Sequence, residues 1–132
     1  MTEASLNLSG VWQGRYIYPT TRLPVPFVAT MTEIDSWLSG KIEENGTAGE
    51  ARGVAMAASI QGRRTGHSVT WLKLYDGRFK RYDSVHYEGD INNDATEISG
   101  RWSIPGNWSG TFIMIRPRGV VMSTDVKARV QV

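Results

Sequence analysis

The chain has 132 residues, a net charge of +2 and no cysteine, and 40% of its residues are hydrophobic. These values are typical of one soluble globular domain, so we predict a single domain over residues 1–132. The absence of cysteine excludes disulfides, iron–sulfur clusters and thiol nucleophiles.

Apolar and polar residues alternate with a period of two along most of the chain, which indicates β-strands. The predicted strands are 10–18, 27–34, 40–44, 53–61, 68–75, 84–90, 97–104 and 108–116, with a further C-terminal strand over 126–132. Residues 19–26 are predicted to be a proline-rich loop, because proline cannot donate to a central ladder. Turn signals such as Asn45-Gly46 and Asp76-Gly77 separate the strands.

The short connections imply antiparallel neighbours, since parallel pairing requires long crossovers. We therefore predict an all-β fold: an antiparallel up-and-down barrel of eight strands with an extra C-terminal strand. A two-sheet sandwich is the alternative.

A Gly-x-Trp sequence, Gly10-Val11-Trp12, lies on the first predicted strand. In an eight-stranded meander this element resembles the calycin group, which comprises lipocalins, fatty-acid-binding proteins and avidins. The resemblance implies a small-molecule-binding barrel in which Arg116, near the end of the last strand, packs across Trp12. The segments 12–14 and 108–112 also resemble small bacterial lipocalin-like proteins of uncharacterised function.

Two relatives in that group bind known ligands. The opening residues 10–14, followed by Tyr18-Pro19, are similar to the start of the haem-binding nitrobindins, which need an inward histidine. His67 falls at a predicted turn and His86 is out of phase with the inward residues. The biotin-binding residues of avidins do not map onto this chain. We therefore expect no cofactor and no metal.

Placing Trp12 inside fixes the phase of the first strand, and the pattern indicates the phase of the others. The inward set is then Trp12, Tyr16, Tyr18, Phe27, Met31, Met56, Val69, Trp71, Lys73, Tyr75, Val85, Tyr87, Ile98, Trp102, Phe112, Met114 and Arg116. One interpretation is a filled core. The other is a narrow pocket for a small hydrophobic or aromatic ligand, which can carry an acidic group, lined by Tyr16, Tyr18, Trp71, Lys73, Tyr75 and Tyr87.

Lys73 distinguishes these interpretations. A buried ammonium needs a partner, so an inward Lys73 requires a carboxylate from Glu33, Glu44 or the ligand. In the opposite phase Leu72 and Leu74 would lie inside and Lys73 in water. We favour the inward phase, because the other would expose Trp71 and Tyr75.

The chain contains no established catalytic motif, so we expect binding rather than catalysis. The polar candidates are His67 with Ser68, His86 with Asp83 or Glu88, and Glu33 with Asp35, all of which fit ordinary turn, rim or surface positions. An isomerase or cyclase that shapes its substrate remains an alternative, as does a protein-interaction module with a filled core.

The remaining expectations concern partners and location. Apolar residues on the outer face predict a homodimer, or cover by the C-terminal strand; they are Ile17, Val28, Leu72, Leu74, Ile113 and Ile115. Scattered basic residues argue against nucleic-acid binding. The chain shows neither a signal-peptide pattern nor a long apolar run, so we expect a cytoplasmic protein that does not bind membranes.

Overall fold

The computed structural model describes residues 7–19, 23–45, 53–77, 84–106 and 108–117, apart from the side chain of Trp108. Its strands are β1 (Gly10–Ile17), β2 (Pro24–Ile34), β3 (Trp37–Asn45), β4 (Ala55–Thr65), β5 (Ser68–Tyr75), β6 (Val85–Ile91), β7 (Glu97–Ile104) and β8 (Trp108–Ile115). The predicted strand over 126–132 lies outside the described residues.

The eight strands form one closed antiparallel barrel in which each strand pairs with its neighbours in sequence. Closure occurs at β1, where Gly14 is opposite Phe27 of β2 on one side and Met114 of β8 on the other. The predicted up-and-down barrel is confirmed, and the sandwich alternative is wrong. Closure satisfies the backbone groups that two open sheet edges would leave unpaired.

The barrel has two different ends. At the end we call the turn end, residues 35–36, 66–67 and 92–96 connect the strands. Asp35 and Ser36 both have positive φ, as the two-residue turn of a right-twisted hairpin requires. At the opposite end, which we call the loop end, β1, β3, β5 and β7 end and β2, β4, β6 and β8 begin.

The interior is filled by the side chains that the alternation placed inside. All members of the predicted inward set are buried except Tyr18 and Tyr75, which are half-buried near the loop end. Aromatic rings occupy the middle of the barrel: Tyr87 lies 5.7 Å from Trp71 and 5.0 Å from Phe112 between ring centroids. The predicted phase is therefore confirmed for every strand that contributes to this set, including β5; the set contains no residue of β3.

Three strand boundaries differ from the sequence prediction by three or more residues. β2 begins at Pro24, within the predicted loop, because residues 24–26 pair with β1 alone. Their other edge needs no ladder donors, so proline is tolerated there. β3 begins three residues before the predicted start and β4 ends four residues after the predicted end, since their turn-end residues pair with each other.

Glycines allow two tryptophans to lie against neighbouring backbone. A Cβ atom on Gly110 would be 2.6 Å from Nε1 of Trp102, and one on Gly62 would be 2.6 Å from Cβ of Trp71. The absence of a side chain at these two glycines is therefore required for the close packing of Trp102 and Trp71.

Candidate functional site

The six predicted ligand-binding residues come from the β1, β5 and β6 sides of the barrel and lie between the loop end and its middle. Three of them surround the Nζ atom of a fourth, Lys73; they are Tyr16, Tyr75 and Tyr87. Tyr18 packs edge-on against Tyr16, with a centroid separation of 5.7 Å. Trp71 lies deeper and stacks on Tyr87.

Glu44 supplies the carboxylate that an inward Lys73 requires. Alternation along β3 turns Ile42 and Glu44 inward, and the Lys73 ammonium donates to Oε1 of Glu44 at 2.8 Å. The hydroxyls of Tyr16 and Tyr75 donate to Oε2 at 2.6 and 3.0 Å. The carboxylate thus accepts three hydrogen bonds, which together replace much of the water that it loses on burial.

The ammonium is also enclosed by aromatic rings. Its Nζ lies 4.8 Å from the ring centroid of Tyr16, 4.7 Å from that of Tyr75 and 5.7 Å from that of Tyr87. The Tyr87 hydroxyl accepts a further contact from Nζ at 3.5 Å. We call these three tyrosines the tyrosine cage. Ring faces attract cations, so the cage stabilises the charge that Glu44 balances.

Burial shifts the protonation equilibria of this cluster. Desolvation and the Glu44 carboxylate raise the pKa of all three cage tyrosines well above the ordinary value of about 10. Desolvation also lowers the pKa of Lys73, and the opposing effect of Glu44 does not cancel it. The phenols are therefore neutral donors at physiological pH, and the lysine loses its proton more readily than an exposed lysine.

Among the described buried tryptophans, Trp71 differs from the other two in the hydrogen bonding of its indole N–H. Trp12 Nε1 donates to the carbonyl of Leu8 at 2.9 Å, and Trp102 Nε1 donates to that of Ile17 at 3.2 Å. Within the described residues, Trp71 Nε1 is buried without a hydrogen-bond partner. An unpaired buried donor costs about 1–3 kcal/mol, so this N–H is free to bind an acceptor.

The turn end is closed by a separate polar cluster. Arg116 lies over Trp12, with 4.5 Å from Cζ to the ring centroid. Its guanidinium donates to three carbonyl oxygens, those of Ala95, Ser9 and Asn7, at 2.7–2.9 Å. Burial lowers the pKa of Arg116, but a guanidinium keeps its proton in proteins, so Arg116 remains charged. The expected Trp–Arg packing is present and ties residues 7–9 to the barrel.

A second ion pair lies beside this cluster, between Glu33 and Arg64 at 3.1 Å. The same carboxylate accepts a hydrogen bond from the backbone N–H of Leu8. Glu33 is therefore not the partner of Lys73, because the two residues are at opposite ends of the barrel. Leu8, which is fully buried, covers the interior at this end.

Within the described residues, the histidines and the acidic candidates Asp35 and Glu88 do not gather into a site, and the candidate Asp83 lies outside those residues. His67 is exposed in the turn after β4, and His86 is exposed on the outer face of β6. Among the described residues, no group of three histidine, aspartate or glutamate side chains could hold a metal ion. Across the same ranges, no helix combines the length and apolar character that a membrane span requires.

Sequence reasoning left Glu44 as one of three possible partners of Lys73 and did not place Arg64. Both residues carried a usable signal. Glu44 is in phase with the buried Leu38 and Ile42, and Arg64 is in phase with the buried Ile60. A charged residue in the inward phase of a strand indicates a buried partner, but the pattern does not say which one.

Comparisons with known proteins support the fold. No protein-family model and no curated protein matches the chain. Among solved structures, the chain is similar to a redesigned β-barrel, with a TM-score of 0.66 and 16% sequence identity over 87% of this chain and 95% of that chain. At this identity the likeness shows the fold alone, a closed eight-stranded antiparallel barrel.

Proposed function

We propose that this protein is a calycin-type barrel that binds a small hydrophobic or aromatic molecule at its loop end. The observation that carries the proposal is the Lys73–Glu44 ion pair, held inside the barrel with three tyrosine hydroxyls around it. The packing of Arg116 on Trp12 supports the calycin relationship.

Stability alone does not account for this cluster. Taking both charges out of water costs several kcal/mol per ion, and a hydrophobic pair of similar volume is commonly as stable or more stable. Perturbed titratable groups that converge in one interior region are typical of binding and catalytic sites. The other described interior side chains are almost all apolar or aromatic, so the cluster is a local departure from an ordinary core.

The geometry favours a small neutral ligand with one flat ring and a hydrogen-bond acceptor. Tyr18 and Tyr75 are half-buried at the loop end, so the edge of the filled interior meets solvent there. The tyrosine cage and Trp71 offer ring faces, and the indole N–H of Trp71 offers a donor. Lys73 alone would attract an acidic group. However, Glu44 already neutralises the ammonium, and its carboxylate repels a second negative charge. We therefore expect an uncharged ligand to bind more tightly than its carboxylate analogue.

The cluster also borders the surface. Glu44 is among the residues that line a groove of about 530 Å³ across β1 to β4, together with Met56 and Gly14. The groove gives a small molecule a place to approach the carboxylate without unfolding the barrel.

Benzyl alcohol and benzoate test this function, because they share a ring and differ in charge. The indole N–H resonances of the five tryptophans are followed by NMR during each titration. We expect a saturable shift of the Trp71 resonance, assigned with Trp71→Phe, and a larger effect from the alcohol than from benzoate. The exposed Trp37 on β3 serves as the internal control and should not move.

A Lys73→Met variant supplies the second arm of this test. If the proposal holds, this variant loses stability and binds benzyl alcohol more weakly. A variant that gains stability and binds the alcohol unchanged contradicts the proposal. So does a titration of the unmodified protein that moves only Trp37. Native mass spectrometry of the freshly purified protein would identify a co-purifying molecule directly.

The outer face supports a second candidate, self-association. Val28 of β2 and Ile115 of β8 lie on either side of Gln13 of β1, and Val11 is next to Gln13 on the same face. All three apolar side chains are at least 39% exposed. Several exposed apolar side chains gathered on one face of a sheet are typical of an interface. Sedimentation at micromolar concentration should then show a homodimer that Val28→Glu dissociates, whereas a monomeric unmodified protein would contradict this candidate.

A further inference from the structure

Lys73 has the surroundings of a nucleophilic amine. The chain contains four lysines, and Lys73 is almost fully buried, whereas Lys41 is exposed beside Asp76. Its Nζ is held 2.8 Å from the Glu44 carboxylate and faces the rings of the cage. Desolvation lowers the pKa of Lys73, so a larger fraction is the neutral amine at neutral pH than for an exposed lysine. The neutral amine is the form that attacks a carbonyl carbon.

Glu44 is placed to move the proton that such an attack requires. It accepts the Lys73 proton directly at Oε1, while the Tyr16 and Tyr75 hydroxyls hold Oε2. An amine next to a hydrogen-bonded carboxyl group forms a nucleophile and acid–base pair, within the reach of about 2.6–3.2 Å that proton transfer needs.

We propose that Lys73 captures small aromatic aldehydes as a protonated Schiff base, with Glu44 as the proton acceptor and donor. This inference rests on the proposed function, since the aldehyde occupies the same loop-end site. The ring contacts the tyrosine cage and Trp71, and the carbonyl carbon meets Nζ.

The reaction is balanced without any other reactant. The ammonium passes one proton to Glu44, and the freed lone pair forms a C–N bond to the aldehyde carbon. A proton then moves from nitrogen to the former carbonyl oxygen, which gives a carbinolamine. Glu44 returns its proton to that hydroxyl, the C–O bond breaks, and water leaves as the nitrogen lone pair forms the C=N bond. The sum is ammonium plus aldehyde to protonated imine plus water, and Glu44 ends as a carboxylate.

The product suits the site for an electrostatic reason. A protonated imine carries the same positive charge as the ammonium that it replaces, at the same atom. The Glu44 carboxylate therefore keeps its partner, and no unpaired charge is buried. The cage rings that attract the ammonium also attract the iminium ion.

Reductive trapping with benzaldehyde tests the inference. The full chain is incubated at neutral pH with benzaldehyde and cyanoborohydride, and the digest is mapped by mass spectrometry. Among the four lysines, we expect the fastest adduct, equal to the mass of benzaldehyde less one oxygen, at Lys73. It should form faster than at Lys41, Lys80 or Lys127, since a lowered pKa leaves more of the Lys73 amine neutral. Equal labelling of all four lysines would overturn the inference.

Two variants make the result independent of folding defects. Lys73→Arg keeps a cation beside Glu44 but cannot form an imine, and the double variant Lys73→Met with Glu44→Gln removes both charges together. Circular dichroism selects whichever is folded, and that variant should lose the adduct; persistence of the fast adduct would refute the assignment to Lys73. In Glu44→Gln, the pH at which trapping is half-maximal should fall, because the carboxylate no longer stabilises the ammonium. An unchanged profile would exclude Glu44 from the step.

Benzyl alcohol separates this inference from the proposed function. If the alcohol shifts the Trp71 resonance but benzaldehyde gives no Lys73 adduct, the site binds a ring without capturing carbonyls, and only the inference fails. If neither compound engages the site, both the inference and the proposed function fail.

Discussion

The buried ion pair gives the sharpest prediction about the stability of this protein. Lys73→Met leaves the Glu44 carboxylate buried with only the Tyr16 and Tyr75 hydroxyls as donors. Two unit charges 2.8 Å apart attract each other by about 6 kcal/mol at an effective dielectric constant near 20. Some of this is already offset by the cost of desolvating both ions. We therefore expect Lys73→Met to reduce the free energy of unfolding by about 3–5 kcal/mol.

The double variant, Lys73→Met with Glu44→Gln, is the matched comparison. It buries no charge, and the amide oxygen introduced by Glu44→Gln can still accept from the cage hydroxyls. We expect it to be more stable than either single variant and within about 2 kcal/mol of the unmodified protein. The two single effects should therefore be far from additive, as expected for groups in direct contact.

Urea unfolding followed by circular dichroism measures these differences. The four proteins should share one slope against urea concentration and differ in their midpoints. The reasoning is refuted if Lys73→Met costs less than about 1 kcal/mol, because an ion pair in contact with water is worth no more than that. Additive single effects would equally refute it, since they would mean that the two residues do not interact.

Three further predictions concern pH, the turn end and the glycines. The cage tyrosines have a raised pKa in the folded barrel, so their stabilising effect is complete below pH about 10. Above that pH the free energy of unfolding should fall by about 1.4 kcal/mol per pH unit and tyrosine. Phenolate absorbance should therefore rise together with loss of the circular dichroism signal, and a rise while the fold is intact would contradict this prediction. Arg116→Lys keeps the charge but not the three carbonyl contacts, so we expect a loss of about 2–3 kcal/mol in thermal unfolding; a change below about 0.5 kcal/mol would show that the guanidinium does not hold the turn end. Gly100→Ala places a Cβ 1.9 Å from the Glu88 carbonyl oxygen and should lower the free energy of unfolding by more than about 3 kcal/mol. Gly106→Ala, at a position with φ +79° and open space around it, should lower it by about 1 kcal/mol. Equal effects of the two variants in urea unfolding would contradict the explanation by close approach.

The phase of each strand could be predicted from the sequence because a β-strand has a period of two and one face of a barrel wall is always buried. Setting Trp12 inside was enough to orient β1, and alternation did the same for the other strands except β3, for which no inward residue was predicted. Strand β5 followed the same rule. Its opposite phase would have left the large apolar surfaces of Trp71 and Tyr75 in water, whereas the observed phase buries Lys73 together with a charged partner.

Strand ends were less predictable. Pro24 and Pro26 carry a strong loop signal, yet they lie in β2 because the edge facing β3 is unpaired there. Local propensity cannot reveal where a neighbouring strand stops, and that stopping point decides whether a proline is tolerated.

The candidate site also has features that the sequence determines and features that depend on the tertiary structure. Composition and alternation by themselves determined that a group of tyrosines, a tryptophan and one lysine line the inner wall, because each residue type and its phase are local properties. Only the tertiary structure decided that Lys73 pairs with Glu44 while Glu33 pairs with Arg64. Those pairings join residues from different strands, and their partners are set by register and barrel closure. For the same reason, the structure and not the sequence shows that the Trp71 N–H is unpaired among the described residues.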